Sequence, residues 1–538
     1  MSQAGIFRVY AFVAAAALVF ATGCTSPCEY VGNGFKVGPN YKPAPAPVAQ
    51  HWIDQADFQP TQNPEVLACW WKVFNDSKLN DLISCAFKQN LTLKEAGFRV
   101  LEARAQLGIA RGDLFPQTQT MTGSYQRIGE PFNIPLKTPT ALPGFYDQWN
   151  YGFNLNWELD FWGRFRRAVI AAEDSLQASA YGYDAVLVTL LGDMAQNYVR
   201  LRTDQERIKL LQANAELQRG ILKFVAAQLE ARFRQTELDY DQALSNLRQT
   251  EAQILPLAID ARQAENLLCI LMGMPPANLE AMLGIGPIPT APSEVAIGIP
   301  ADLLRRRPDV RQNERLAAAQ AEQIGIALTD LYPAFFINGN LGWTAANFPD
   351  LFKNAAFNGT VGPSFQWNVL NYGRIINNVR YQDSRFQELL VAYQQSVLEA
   401  DREVEDGVVT FLRSQRRAKL LEQSVVAADR AVKIVVFQYQ NGAVDFNRYA
   451  VIEQNLVTQQ DQLAQARGQV AQGLVLMYRA MGGGWEIRLA AGADNQAQGQ
   501  QAPPNPPAAP NPPVEKIPLP RPSNGEAGNA PSAAPATP

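Results

Sequence analysis

QLGIARGDLFP, Gln106 to Pro116, returns in this chain as QIGIALTDLYP, Gln323 to Pro333. Two more echoes follow in the same order. LDFWGRFRR (Leu159–Arg167) comes back as LNYGRIINN (Leu370–Asn378), and QNYVRLRTDQERIKLL (Gln196–Leu211) as DGVVTFLRSQRRAKLL (Asp406–Leu421). Three matches in one order mean that one unit is written twice: a helix end, an extended segment, a glycine turn, a long helix.

Between the LFP/LYP mark and the WGR/YGR mark lie the chain's clean period-two patterns. In GFNLNWELDF, Phe153, Leu155, Trp157 and Leu159 alternate with Asn154, Asn156 and Glu158. Phe335, Ile337, Leu341 and Trp343 alternate against Asn338 and Asn340, and Phe365, Trp367 and Val369 against Ser364, Gln366 and Asn368. Gln119–Tyr125 is a weaker copy. Such alternation puts one face of a strand in an apolar medium and the other in water. Each stretch is roughly ten residues, enough for a tilted strand to span a bilayer. A soluble hairpin resting on a core has the same alternation; no other sheet in the sequence is there for these strands to join.

The rest reads as helix. No proline occurs from Gly163 to Leu255 or from Ser364 to Gly484. Leu187, Leu191, Met194, Tyr198, Leu201 and Ile208 follow coiled-coil steps of four and three, and Val397, Val404, Val408 and Phe411 take the corresponding places in the second half. A helix from Arg164 to about Ala231 would run on the order of 100 Å, well beyond a globular core. Gly163 and Gly373 fall at the strand-to-helix turns.

The ends and the composition narrow the function. Arg8, then the apolar Val9–Ala21, then small residues before Cys24 form an export signal with a lipoprotein-like cleavage site, so acylation, such as palmitate, is expected at Cys24. Of the other cysteines none forms a CxxC pair, and the single histidine, His51, cannot supply a metal or triad site. Cys69 and Cys85 read as two buried thiols or, in an exported chain, a disulfide. A net charge of −4 and no basic stripe exclude a nucleic-acid partner. Residues 490–538, rich in Pro and Ala without aromatics, read as a disordered tail. No constellation supports an enzyme.

VGPNYKP (Val37–Pro43), WWKVFNDSKLNDLI (Trp70–Ile83), LLRRRPDVRQNE (Leu303–Glu314), VGPSFQWNVLNYGR (Val361–Arg374) and MGGGW (Met481–Trp485) resemble recurring segments of the outer-membrane factor family. These are the TolC-like channels, and the likeness is to their lipoprotein branch (NodT-like) serving resistance-nodulation-division pumps. The resemblance implies a mixed α/β membrane channel. Four strands per chain would close a twelve-stranded barrel in a homotrimer, continued by a long helical barrel through the periplasm. It also implies two partners, a periplasmic adaptor and an inner-membrane transporter, no cofactor, and a passive exit duct in the outer membrane. Four strands alone cannot close a barrel, and open edges in lipid leave backbone groups unpaired at several kcal/mol each, so oligomerisation is physically sensible.

The expected organisation is a signal at 1–23, an anchor and extended segment at 24–75, and a first repeat at 76–300 with strands near 117–127 and 149–160. A second repeat follows at 301–489 with strands near 334–344 and 360–370, then the tail. The Arg305–Arg307 run before Pro308 reads as a helix start with ion pairs. QYQNGAVDFNRY (Gln438–Tyr449) resembles the family's turn at the closed periplasmic end, which carries a pore-lining role onto Asp445 and, more loosely, onto Asp239 beside Asp241; Glu453 fits the spacing poorly. A helix N-terminal acid is the rival reading of Asp445. The rival for the whole chain is a lipid-tethered periplasmic coiled-coil scaffold without transport.

Overall fold

A computed structural model describes residues 26–48, 51–53, 67–129, 145–231, 236–292 and 306–489. The expected signal, Cys24, Arg305 and the tail from 490 lie outside the described residues. Met1–Ile487 form one unit, which is the one treated below, and Arg488–Pro538 a second.

Short helix α1 (Pro27–Gly32) is followed by a 3-10 turn at Trp70–Phe74, then α2 (Ser77–Gln89) and α3 (Leu91–Gly112). Strands β1 (Thr118–Gly129) and β2 (Phe145–Leu159) lead into α4 (Arg164–Glu230), α5 (Glu237–Leu271) and the single turn α6 (Glu280–Leu283). The second half gives α7 (Pro308–Thr329), β3 (Ala334–Ala345), β4 (Phe357–Gln366), α8 (Arg374–Gln440) and α9 (Phe446–Ala480). The repeat is kept in length as well as in order. α3 and α7 each have 22 residues, α4 and α8 each 67, α5 and α9 each 35. Both 67-residue helices start at a glycine in the left-handed region, Gly163 (φ 84°) and Gly373 (φ 80°), a conformation open to glycine at little cost.

The heptad positions fill the main core. Leu187, Leu191 and Met194 have no exposed surface, and Tyr198, Leu201, Val404, Val408 and Phe411 pack with them. Trp70, Trp71 and Phe74 seal this core, with Trp70 stacked on Tyr478 of α9 at 5.6 Å. The WWKVF and MGGGW segments therefore meet in space. Gly484, at φ 102°, passes so close to Leu191 and Trp70 that a Cβ would collide. The two hairpin helices α8 and α9 touch backbone to backbone, since a Cβ on Gly473 would lie 2.9 Å from the Phe411 nitrogen. Cys69 and Cys85 are free thiols packed at the margin of this core. Arg306 and Arg307, from the arginine run, pair with Glu486 and with Asp309 and Glu403 around the start of α7.

The four strands form one antiparallel sheet in the order β1-β2-β3-β4, with β1 and β4 at its edges. One sequence expectation shifts. Alternation in PSFQWNVL carried the fourth strand from 360 to 370, but pairing runs from Phe357 to Gln366. The cause lies in the neighbour: Gln366 pairs with Ala334, the first residue after Pro333, whose nitrogen has no proton to donate. Trp367 and Val369 thus leave the sheet.

Candidate functional site

Register puts the asparagines of β2, β3 and β4 on one face, where β1 contributes Thr122. Asn156 donates to Asn338 (2.9 Å) and Asn338 to Ser364 (2.6 Å). One step along the strands, Asn340 donates to Asn154 (2.6 Å) and Asn154 to Thr122 (3.2 Å). These rungs tie the strands together side chain to side chain, and the polar face stays wet. The opposite face carries Met121, Phe153, Leu341, Phe357, Val361 and Phe365, all exposed. A sheet with one face of exposed large hydrophobics needs an apolar solvent. No helix among the described residues is long and apolar enough to cross a membrane.

Aromatic rings border the apolar face at both ends. Tyr125 packs on Trp149 (4.5 Å), Tyr151 stacks on Trp343 (4.8 Å) and Trp343 meets Phe357 (5.5 Å) at the end where β1 and β3 finish. At the other end the Trp157 indole donates to the Leu114 carbonyl (3.3 Å) and the Trp367 indole to the Leu331 carbonyl (3.0 Å). These are the same bond made by each repeat, onto the leucine of LFP and of LYP. From Trp149 to Trp157 a strand at ~3.3 Å per residue and ~40° tilt rises roughly 20 Å. That approaches the ~25 Å apolar band of an outer-membrane barrel. Both tryptophans named on the apolar face by alternation, Trp157 and Trp367, thus sit at its rim with their N–H groups satisfied, as interfacial tryptophans do.

Beneath the rim, the start of α4 holds the N-terminal segment. Asp160 caps the helix, accepting from the Phe165 and Arg166 nitrogens at 3.0 Å. Arg166 donates to Asp160 (2.8 Å) and to the Gly34 and Phe35 carbonyls (2.8 and 2.7 Å). Arg167 has no exposed surface; it donates to the Val37 carbonyl (2.8 Å), the Gly38 carbonyl (2.6 Å) and Glu322 of α7 (2.5 Å). Gly325 of α7 leaves the space that the guanidinium fills. Tyr30 donates to the Phe161 carbonyl at 2.6 Å. Farther on, Ala46 packs on Val310, Val397 and Ala400, and the Ile53 nitrogen donates to Glu405 (2.9 Å). Residues 26–48 and 51–53 therefore strap the rim to the helices. The second repeat has Ile376 and Asn377 where the first has Arg166 and Arg167. That difference between the copies was the available sequence signal for the strap's seat.

The turns of the two long hairpins lie together. Tyr439, Phe446, Tyr449 and Ala450 from the α8–α9 end pack with Ile221, Val225 and Ala243 from the α4–α5 end. Asp445 is the N-cap of α9 and accepts from the Arg448 nitrogen at 2.9 Å. Asp239 closes a capping box with Thr236 at the start of α5, accepting from its nitrogen at 3.0 Å. Both acids named from the sequence therefore cap helices at the same end of the molecule; Asp445 and Asp241 are exposed and Asp239 half-buried. Glu453 points inward instead: it is 1% exposed and accepts from Gln218 of α4. Cys24 lies outside the described residues. No cluster of three or more potential metal ligands occurs among the described residues.

This architecture is that of known outer-membrane channels. The structure superposes on the outer-membrane channel OprN with a TM-score of 0.78 at 29% identity, covering 84% of this chain and 99% of that one. The Campylobacter jejuni CmeC outer membrane channel, at 22% identity and a TM-score of 0.77, shares the fold over 86% of this chain and 98% of its own. Nodulation protein T of Rhizobium leguminosarum bv. viciae is 27% identical over 84% of this chain and 90% of its length. The pyoverdine export outer membrane protein OpmQ of Pseudomonas aeruginosa is 28% identical over 78% and 87%. The family model "Outer membrane efflux protein" matches residues 82–274 and 299–483, one stretch on each repeat, and the chain belongs to that family.

Proposed function

We propose that three copies of this outer-membrane efflux protein close one passive exit duct, fed by an inner-membrane resistance-nodulation-division transporter through a periplasmic adaptor. The observation that carries the reading is the four-stranded sheet with one asparagine face, one lipid-type face and two open edges. β1 of one copy pairing with β4 of the next would satisfy the edges and give twelve strands, within the range of membrane barrels. The asparagine rungs would then line the lumen.

The strap supports lipidation of Cys24. Tyr30 is bonded to the Phe161 carbonyl just beneath the aromatic rim. Six residues of chain reach at most ~20 Å, so an acylated Cys24 would be within reach of the membrane surface. An acyl chain there would sit in the inner leaflet of the outer membrane. At the hairpin ends, threefold repetition would turn Asp445 into a ring of three carboxylates, with Asp239 as its first-repeat counterpart, and such rings favour cations in narrow pores. Cysteines placed on the outer edges of β1 and β4 test the assembly: oxidation should yield covalent trimers and dimers. A chain that stays monomeric in mild detergent and gives no cross-link refutes the duct.

A further inference from the structure

Glu453 is the most deeply buried carboxylate at the hairpin ends, and its partners are unusual. Gln218 of α4, itself 4% exposed, donates Nε2 to both carboxylate oxygens, at 2.9 and 3.2 Å. The same amide's Oε1 is buried with no donor, and so is the Tyr449 hydroxyl, one turn back on α9. Among the described residues no cation pairs with Glu453. Arg219 on α4 and Arg248 on α5 are turned to Glu251, and Lys433 on α8 to Asp429. The titratable groups that face the pair are hydroxyls. Tyr449 is next to it, Tyr439 of α8 stacks on Tyr449 at 5.7 Å, and Tyr240 of α5 packs at the cluster's margin.

We propose that the Gln218–Glu453 pair is a proton-operated latch: protonated, it holds the α4–α5 and α8–α9 hairpins together near their turns, and ionisation loosens them. The chemistry follows from the counting of donors and acceptors. A carboxylate against one amide N–H leaves a buried charge with a single donor and leaves the amide oxygen unpaired, a costly combination. A carboxylic acid can give its O–H to that amide oxygen while keeping the N–H bond, so a cyclic two-bond pair satisfies both side chains. Once the proton leaves, the cheapest remedy is water, and water between α4 and α9 separates the Tyr439–Tyr449 cluster from its partners. The latch rests on the reading of these turns as the closed end of a duct, which it deepens by making that end respond to pH.

The direction is fixed by the burial of the group. Desolvation first, opposed by the Gln218 hydrogen bond, pushes the Glu453 carboxyl up to about 7 from an ordinary 4.5. The folded hairpins thus keep a proton that the loosened ones release. Tight packing is fully present below about 4.5 and is lost as pH rises through about 7.

Hydrogen exchange of the full-length protein in detergent reads this directly, at segments 214–222 and 446–456, without requiring conduction. After correction for intrinsic rates, exchange in the parent should quicken on the order of tenfold or more between pH 5 and 7. Glu453→Gln, neutral and of the same shape, should be slow and flat across that range. Gln218→Leu takes away the partner on which the acid closes, so the slow low-pH state and its transition should be lost, with exchange fast across that range. A pH-independent parent, or a Glu453→Gln profile that follows the parent's, overturns the latch. Should Glu453→Gln fail to fold, a Gln218→Leu variant that keeps the parent's slow low-pH state and its transition overturns it equally. Failure of conduction with the latch intact would refute the duct alone.

Discussion

Arg167→Leu should be among the most damaging single substitutions in the chain, and the structure gives its size. The guanidinium has no exposed surface and the Glu322 side chain is 4% exposed. Leucine fills much of the volume but leaves the buried Glu322 carboxylate without its guanidinium donor. Breaking a buried pair in this way costs about 3–5 kcal/mol. The Val37 carbonyl also loses its donor, which adds up to ~1–3 kcal/mol if it stays buried, whereas the Gly38 carbonyl keeps the Asn33 amide at 2.9 Å. The strap can relieve part of this by peeling off, so the cost divides between lower stability and a freed N-terminal segment. Two readouts are therefore needed: thermal unfolding of the detergent-solubilised protein by tryptophan fluorescence, and proteolysis within residues 39–53. Arg167→Leu should melt well below the parent and be cut faster. Arg167→Leu with Glu322→Leu should recover part of the loss, because an apolar pair carries no stranded charge. A single variant that melts with the parent and keeps its strap protected would refute the reasoning, as would a double variant weaker than the single.

Arginine at Phe153, mid-strand on the apolar face, should cost about 2–4 kcal/mol of membrane insertion, whereas Asn154→Arg should be tolerated; equal losses measured by heat-modifiable gel shift would reverse the assignment of faces. Cys24→Ala should abolish labelling by a fatty-acid probe while the strap stays seated through Arg166 and Arg167, and persistent labelling would place the acyl group elsewhere. Asp445→Ala should loosen the start of α9 by about 1 kcal/mol through loss of the cap. It should also lower the channel's cation preference; unchanged selectivity in bilayer recordings would leave Asp445 as a cap and nothing more.

What the sequence disclosed follows the range of the interactions. Alternation at Phe153–Leu159 and the heptad from Leu187 to Leu201 are local patterns, and they marked strand and helix because each residue's face is set by its own neighbours. The end of β4 was not local. It is imposed by Pro333, which immediately precedes the partner strand, so PSFQWNVL read too long. The seat of the strap was hidden for the same reason: Arg167 finds its partners at Val37, Gly38 and Glu322, far off in the chain. At the hairpin ends, the turn around Gly442 was legible from its glycine and aspartate. The distinction between an exposed capping acid at Asp445 and a buried one at Glu453 was not, because it depends on α4 laying Gln218 against α9.

The central claim is that several copies of this chain enclose a continuous aqueous path through a membrane. Purified full-length protein added to a planar lipid bilayer tests it most directly. The account predicts stepwise, uniform conductance increments that appear with trimeric fractions and are absent from monomeric ones. Trimers that insert into the bilayer yet give no conductance under any pH or voltage would contradict it.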